Sequence, residues 1–212
     1  MTKDYDLAKY ILENSSPEDP VLYELGRETN IRVLRPRMLS GHMQGLVLEM
    51  FCRMVQPSRI LEIGTFTGYS AICMAKGLKE GGKLHTIEVN DELEQIAAKY
   101  IEKAGFREQI VQHIGDACEV IPALDEHFDF VFLDGDKREY SRYYDLVFDK
   151  VRPGGYLLAD NILWDGKVVD EVDPRDGQTI GILEFNNKVK NDSRVSQVIL
   201  PLRDGLMLIR KK

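Results

Sequence analysis

Apolar positions along the chain follow two periods, and the change from one to the other falls near residue 56. Before it, apolar residues recur three and four apart, as in Leu7, Tyr10 and Ile11 and again in Leu46, Val47, Met50 and Met54. That spacing places side chains on one helical face, so Asp4 to about Arg53 is expected to be helical and residues 1–55 to form an N-terminal helical cap. After Pro57 come short runs rich in β-branched and aromatic residues: Arg59 to Ile63, Lys83 to Val89, Ile110 to Ile114, Phe128 to Leu133 and Tyr156 to Ala159. Between them, Asp91 to Ala104 and Tyr140 to Val151 return to helical spacing. Strands alternating with helices predict a parallel sheet covered on both faces. The end differs, because Val195 to Leu200 and Leu206 to Arg210 flank the short turn Pro201 to Gly205 in the manner of an antiparallel hairpin. The predicted fold is α/β: a doubly wound, mostly parallel seven-stranded sheet closed by an antiparallel C-terminal hairpin, with residues 56–212 as the core of a single domain. Trp164 to Gln178, rich in Asp, Gly and Val, is expected to be a mobile loop.

Composition narrows the function classes. The chain has 212 residues, 43% hydrophobic and 30% charged, enough to bury one sizeable core. Its formal net charge of -7 is spread along the sequence, so extended nucleic-acid binding has no bulk electrostatic support. No basic run followed by an apolar segment opens the chain, and no apolar stretch reaches bilayer length, so a soluble, cytoplasmic protein with no membrane partner is expected. Cys52, Cys73 and Cys118 are odd in number and lack C-x-x-C spacing, which predicts buried, inert thiols rather than disulfides or a zinc site.

In open α/β sheets ligands bind beyond the carboxyl ends of the strands, so the residues after each strand carry the chemistry. The first strand runs into Glu62-Ile63-Gly64-Thr65-Phe66-Thr67-Gly68-Tyr69-Ser70, where Gly64 and Gly68 permit a tight turn and close backbone approach. A helix starting near Gly68 would point its amides at the site, which suits an anionic group. The spacing is G-x-x-x-G rather than the G-x-G-x-x-G of dinucleotide binders, which argues against a nicotinamide oxidoreductase. The second strand ends at Glu88, about twenty residues on, where a carboxylate can accept from both hydroxyls of a ribose, or simply end the strand before a helix capped by Asn90 or Asp91. After the third strand, Asp116 reads better as a helix cap than as a ligand, with the small Ala117 beside it where an adenine edge can lie.

The fourth strand ends in Asp134-Gly135-Asp136-Lys137 and the fifth in Asp160-Asn161. If these strands are neighbours, Asp134, Asp160 and Asn161 converge as hard oxygen donors suited to magnesium, or to manganese or calcium, rather than zinc; capping of following helices is the structural alternative. His42, His85, His113 and His127 lie in separate segments without a ligand spacing.

The resemblance to a known family rests on Leu61 to Ser70, on Phe128-Asp129-Phe130-Val131-Phe132-Leu133-Asp134-Gly135-Asp136-Lys137, on the run from Arg152-Pro153-Gly154-Gly155 through Asp160-Asn161-Ile162-Leu163-Trp164, and on Leu200-Pro201-Leu202-Arg203-Asp204-Gly205. In order and spacing these resemble the caffeoyl-CoA and catechol O-methyltransferases, over about Tyr10 to Arg210. The resemblance implies a Rossmann-like methyltransferase fold, a homodimer, and S-adenosylmethionine contacts from Met38, Ser40, Glu62, Gly64, Thr65, Ser70, Glu88, Ala117 and Asp136, with Asp116 and Asp134 beside them. It also implies metal ligation by Asp134, Asp160 and Asn161 and a catalytic role for Lys137. Two departures bear on the acceptor: His42 and Met43 stand where acidic residues are common, and Arg203 where glycine is common.

The expected chemistry follows from charge. A phenol with a pKa of about 10 is a poor nucleophile at neutral pH. A divalent cation bound to its oxygen stabilises the oxyanion, a neighbouring hydroxyl completes a chelate, and Lys137 with Asp134 would manage the proton. The expected acceptor is a small catechol-like or phenolic molecule. Arg27, Arg32, Arg35 and Arg37 support a second reading, a hydroxylated tRNA base held by a small basic rim; ordinary solvated surface is the alternative. A catalytically silent cofactor-binding protein is the third reading, and the intact Asp134, Lys137, Asp160 and Asn161 argue against it. Trp164 is placed either to wall a planar acceptor or to anchor the core.

Overall fold

The computed structural model describes residues 3–212, with side chains from Asp6 onward. Helices α1 (Lys3–Glu13), α2 (Pro20–Arg32) and α3 (Gly41–Val55) precede the sheet. There follow β1 (Arg59–Ile63), α4 (Tyr69–Ala75), β2 (Lys83–Glu88), α5 (Glu94–Lys103), β3 (Ile110–Ile114), α6 (Ala117–Ala123), β4 (Phe128–Leu133), α7 (Tyr140–Phe148), β5 (Val151–Ala159), α8 (Gly177–Asn191), β6 (Val195–Leu200) and β7 (Leu206–Lys211). The seven strands form one sheet in the order β3-β2-β1-β4-β5-β7-β6. All neighbours run parallel except β7, which is antiparallel to both β5 and β6.

The central strands are rich in apolar residues because both of their faces are covered. Along β4, Val131 and Leu133 face one core while Phe130 and Phe132 face the other, all fully buried. The first core lies under α6, α7 and α8, with Ile121, Tyr140, Tyr144, Ile182 and Phe185 at its centre. The second lies under α2 to α5, around Leu25, Leu48, Ile72 and Tyr100. Burying aromatic side chains of this size stabilises by about 3–5 kcal/mol each when judged by truncation to alanine. Among the described residues, no helix is long and apolar enough to cross a membrane.

Several expectations needed adjustment. α3 is helical as predicted, yet its buried face is Gln44, Gly45, Leu48 and Cys52, while Met50 and Met54 are exposed. Small residues decide this, because α3 lies so close to α4 that a Cβ on Gly45 would sit 2.7 Å from the Cys73 sulfur. The apolar residues Leu7, Tyr10 and Ile11 of α1 are likewise exposed, Leu7 at 56%. β5 begins five residues earlier than predicted, with a register shift across Arg152 to Gly155 that the proline and two glycines accommodate. The segment read as a loop from Trp164 contains a short 3-10 turn, Trp164–Val169, and Trp164 itself packs against the first core. α8 starts at Gly177 with Asp176 capping it, Oδ1 accepting from Thr179 N at 3.1 Å. The three cysteines are free and buried, as expected.

α8 presses against the turn that follows β4 at Gly181, where a Cβ would lie 2.5 Å from the Lys137 carbonyl oxygen and 2.8 Å from the Arg138 Cα. Both are backbone atoms and cannot swing aside. Gly181→Ala is therefore expected to destabilise the fold by about 1–3 kcal/mol in urea unfolding, and an unchanged midpoint would show that α8 does not brace this turn.

Candidate functional site

The carboxyl ends of β1, β2, β4 and β5 meet at one edge of the sheet. Gly64 leaves β1 at φ 103°, and its amide and that of Thr65 donate to the Ile87 carbonyl at 2.9 and 3.2 Å. A Cβ on Gly64 would fall 2.4 Å from the Asp134 carbonyl oxygen, so only glycine lets the tips of β1 and β4 close together. This refines the expectation of backbone approach to a ligand: the neighbour that requires glycine here is protein.

Glu62 is fully buried at this junction. Its Oε2 accepts from Thr86 Oγ1 at 2.5 Å, and Thr86 lies 2.5 Å from Thr65 Oγ1, while Glu62 Oε1 has no hydrogen-bond partner among the described residues. Burial pushes its pKa up to about 8, the Ser70 and Thr86 hydroxyls pull the other way, and the charges of Asp134 and Glu88 add to the rise. Ser70 is buried on the first turn of α4. Glu88 bridges the turns beyond β1 and β2, accepting from Phe66 N at 2.8 Å and Asn90 N at 3.0 Å. Asn90 caps the following turn, accepting from Glu92 N at 3.1 Å. Asp116 caps α6 by accepting from Cys118 N at 2.8 Å, and Ala117 is buried beside it. Asp136 accepts from Arg138 N at 3.0 Å, and the Arg138 side chain holds its carboxyl below the usual range. From the cap, Ser40 is buried at the start of α3 and Met38 is exposed on the 3-10 turn Pro36–Met38.

The tips of β4 and β5 are adjacent, as predicted: Asp134 N donates to Ile63 O at 2.8 Å and Asp160 N to Leu133 O at 3.0 Å. Asp134 is 18% exposed at its side chain and Asp160 only 3% exposed. Burial raises the Asp134 pKa to about 6; Lys137 opposes that rise and the charge of Asp160 adds to it. Lys137, 7% exposed, donates to Asp134 Oδ1 and to the Tyr140 hydroxyl, each at 2.8 Å. The single Tyr140 hydroxyl proton is shared between the carbonyls of Leu133 and Asp160, at 3.0 and 3.1 Å. Asp160 Oδ2 accepts from Gln44 Nε2 at 2.6 Å, and Asp160 Oδ1 from the Asn161 amide at 2.7 Å. Asn161 has φ 59°, and its Nδ2 faces Asp204 Oδ2 at 3.4 Å. Among the described residues no group of three or more His, Cys, Asp or Glu side chains is placed to hold a metal ion, so the candidate donor set is two carboxylates and one amide oxygen.

The sequence profile of the O-methyltransferase family matches residues 12–212. The chain belongs to that family. It is 33% identical over 221 residues to caffeoyl-CoA O-methyltransferase 1 of Arabidopsis thaliana, covering 97% of this chain and 84% of the plant enzyme. Caffeoyl-CoA O-methyltransferase 5 of Nicotiana tabacum is 32% identical, with coverage of 97% and 90%. Among solved structures, the O-methyltransferase TomG from Streptomyces achromogenes, involved in tomaymycin synthesis and in complex with S-adenosylmethionine, superposes with a TM-score of 0.93 at 29% identity over the whole of both chains. The O-methyltransferase from Bacillus cereus in complex with S-adenosylhomocysteine superposes with a TM-score of 0.91 at 28% identity, covering 98% of this chain and 97% of that one. The protein is an S-adenosylmethionine-dependent O-methyltransferase with a Rossmann-like fold.

Sequence reasoning missed the groups that hold the predicted ones. Thr86, Tyr140, Gln44 and Asp204 each bond directly to a predicted site residue. An inward position on β2 was the available signal for Thr86, and i+3 spacing from Lys137 for Tyr140; Gln44 lies 116 residues from its partner and carried none. The histidines were read as separate, yet β2 and β3 bring His85 and His113 together, stacked with Nδ1 and Nε2 3.0 Å apart and both pKa values lowered, chiefly by burial.

Because the Glu62 pKa is raised in the fold, its stabilising contribution is complete below its unfolded value near 4.5 and is lost as pH rises through about 8. Glu62→Gln removes that dependence. Relative to the parent, the ligand-free variant should gain a few kcal/mol in urea unfolding between pH 5 and pH 9, and a difference that stays flat with pH would show that Glu62 ionises freely.

Proposed function

We propose that this enzyme methylates a hydroxyl of a small catechol-like or phenolic acceptor held by a divalent cation, magnesium first, with manganese or calcium as alternatives. The observation that carries the reading is the cluster of Asp134, Asp160 and Asn161 at two adjacent strand tips with the buried Lys137 against it. The charge of Asp160 adds to the raised proton affinity of the buried Asp134, a repulsion that a divalent cation relieves, and hard oxygen donors match magnesium, manganese or calcium. Asp134, Asp160 and Asn161 would hold the ion, which when bound supplies positive charge to stabilise the acceptor oxygen as an oxyanion.

The chain's own residues supply the rest. Lys137 is fixed by Asp134 and by Tyr140, so its amino group stays at the tip of β4, where the neutral amine takes the hydroxyl proton and the ammonium so formed steadies the oxygen that loses it. Glu62, Glu88 and the Gly64 turn line the cofactor side, and transfer from sulfonium to oxygen is a single in-line displacement whose rate comes from positioning. An open groove of about 490 Å³ lined in part by Leu163, Val168, Val169, Arg203 and Asp204 adjoins Asn161 through Asp204. Its size and partly apolar wall suit a small aromatic acceptor, and the relatives named for caffeoyl-CoA, whose caffeoyl group is a catechol, point the same way.

The test is methyl transfer from labelled S-adenosylmethionine into catechols, flavonoids, coenzyme A esters and tRNA, each with magnesium or with chelator. Product on the catechol-type acceptors that disappears in chelator is expected; undiminished turnover in chelator would remove the cation, and labelling of tRNA alone would move the acceptor. Lys137→Ala should lower kcat by about 10²- to 10⁴-fold while S-adenosylhomocysteine binds as in the parent, and a variant with full kcat would take Lys137 out of the chemistry.

A further inference from the structure

Arg203 stands at φ 50° in the turn between β6 and β7, a left-handed conformation that glycine adopts without steric cost and arginine does not. Its guanidinium spans to the N-terminal helices. Nη1 donates to the Ser40 carbonyl and, at 2.5 Å, to Gln44 Oε1, and Nη2 reaches the Leu39 carbonyl at 3.4 Å. Gln44, 1% exposed, passes the contact inward through its other end, the 2.6 Å bond from Nε2 to Asp160 Oδ2. A primary amide has one donating and one accepting end, so the arginine on Oε1 fixes which end faces the carboxylate. The next residue, Asp204, accepts from Asn161 Nδ2 at 3.4 Å and from Asp165 N at 2.6 Å. That orientation turns the Asn161 amide nitrogen toward Asp204 and leaves its oxygen for another partner. The turn is also stitched to the tip of β5 by backbone, with Ile162 N on Gly205 O at 3.2 Å and Leu163 N on Asp204 O at 3.0 Å.

We propose that Arg203 is a positioning residue that couples the segment around Leu39 and Ser40 to the cation site, by locking Gln44 so that it orients Asp160. Two of the three cation donors then depend on one turn: Asp160 through Arg203 and Gln44, Asn161 through Asp204. Because the same guanidinium holds the Ser40 carbonyl, the segment of Met38 and Ser40, whose cofactor contacts the family resemblance implies, and the donors placed to hold the cation are set together, and filling one site favours the other. The inference rests on the cation reading above.

The test measures binding, not turnover. Mn²⁺ affinity is read by electron paramagnetic resonance, and S-adenosylhomocysteine affinity by calorimetry with and without Mn²⁺, for the parent, R203G, R203K and Q44L. Arg203→Gly deletes the guanidinium while supplying the residue that the backbone prefers, so the thermal midpoint of the ligand-free protein should hold. Its Mn²⁺ affinity should fall about 10- to 100-fold, the usual consequence of removing a group that orients a ligand, and Mn²⁺ should no longer tighten S-adenosylhomocysteine. Arg203→Lys keeps the charge without the fork that reaches three acceptors and should lose the same affinity. Gln44→Leu should match R203G, with no further loss in the double variant. R203G or R203K binding Mn²⁺ as tightly as the parent would overturn the coupling alone. A parent protein that binds no Mn²⁺ would overturn the cation reading, and the coupling with it.

Discussion

Two carboxylates buried side by side at the tips of β4 and β5 set the terms for everything around them. Asp134 and Asp160 cannot both stay charged and out of water without partners, because an uncompensated buried charge costs several kcal/mol. The fold answers from four directions. Lys137 comes from the turn after β4, the Asn161 amide from the turn after β5, Gln44 from α3, and Tyr140 ties the two strand tips by sharing its hydroxyl proton between their carbonyls. Lys137 is itself buried, its amine partnered by Asp134 and Tyr140, and α8 packs at Gly181 against the backbone of its turn.

That demand makes the site depend on the sheet being wound as it is. Adjacent parallel strands deliver their carboxyl ends to one edge, and the glycine at 64 lets β1 close on β4, so the charge of Asp134 reaches Glu62. Covering both faces of the strands with helices is what keeps water from relieving that repulsion.

The parts legible in the sequence are those that repeat or lie close together along it. The runs that became β1, β3, β4 and β6 matched residue for residue, because each is a short β-branched or aromatic run bounded by turn-forming residues. The acidic strand tips and the G-x-x-x-G turn are local, and so they stood out. What was hidden is what folding alone assembles. α3 carries two stripes of comparable apolarity, and the buried one was chosen by the tight fit of Gly45 on Cys73, a fact of packing with no periodic signature. His85 and His113 become a pair only through the β2–β3 register. Gln44 is a neutral amide on a helix 116 residues from Asp160, and Arg203, which stood out in the sequence only as a departure bearing on the acceptor, shows its tie to Ser40 only in the folded turn.

The raised pKa values of Glu62 and Asp134, about 8 and about 6, share burial as their first cause, and the charge of Asp134 adds to the rise at Glu62. Burial thus disfavours negative charge at both carboxyls, in a protein already at a net charge of -7. Positive charge arriving at either end is favoured by the same field. A sulfonium cofactor beside Glu62 would lower the cost of ionising Asp134, and a cation on Asp134 and Asp160 would lower the cost of ionising Glu62. Because each relieves the repulsion that the other also relieves, the linkage runs both ways and needs no movement of the backbone. The arginine bridge adds a mechanical path between the same two sites, so charge and geometry act in the same direction.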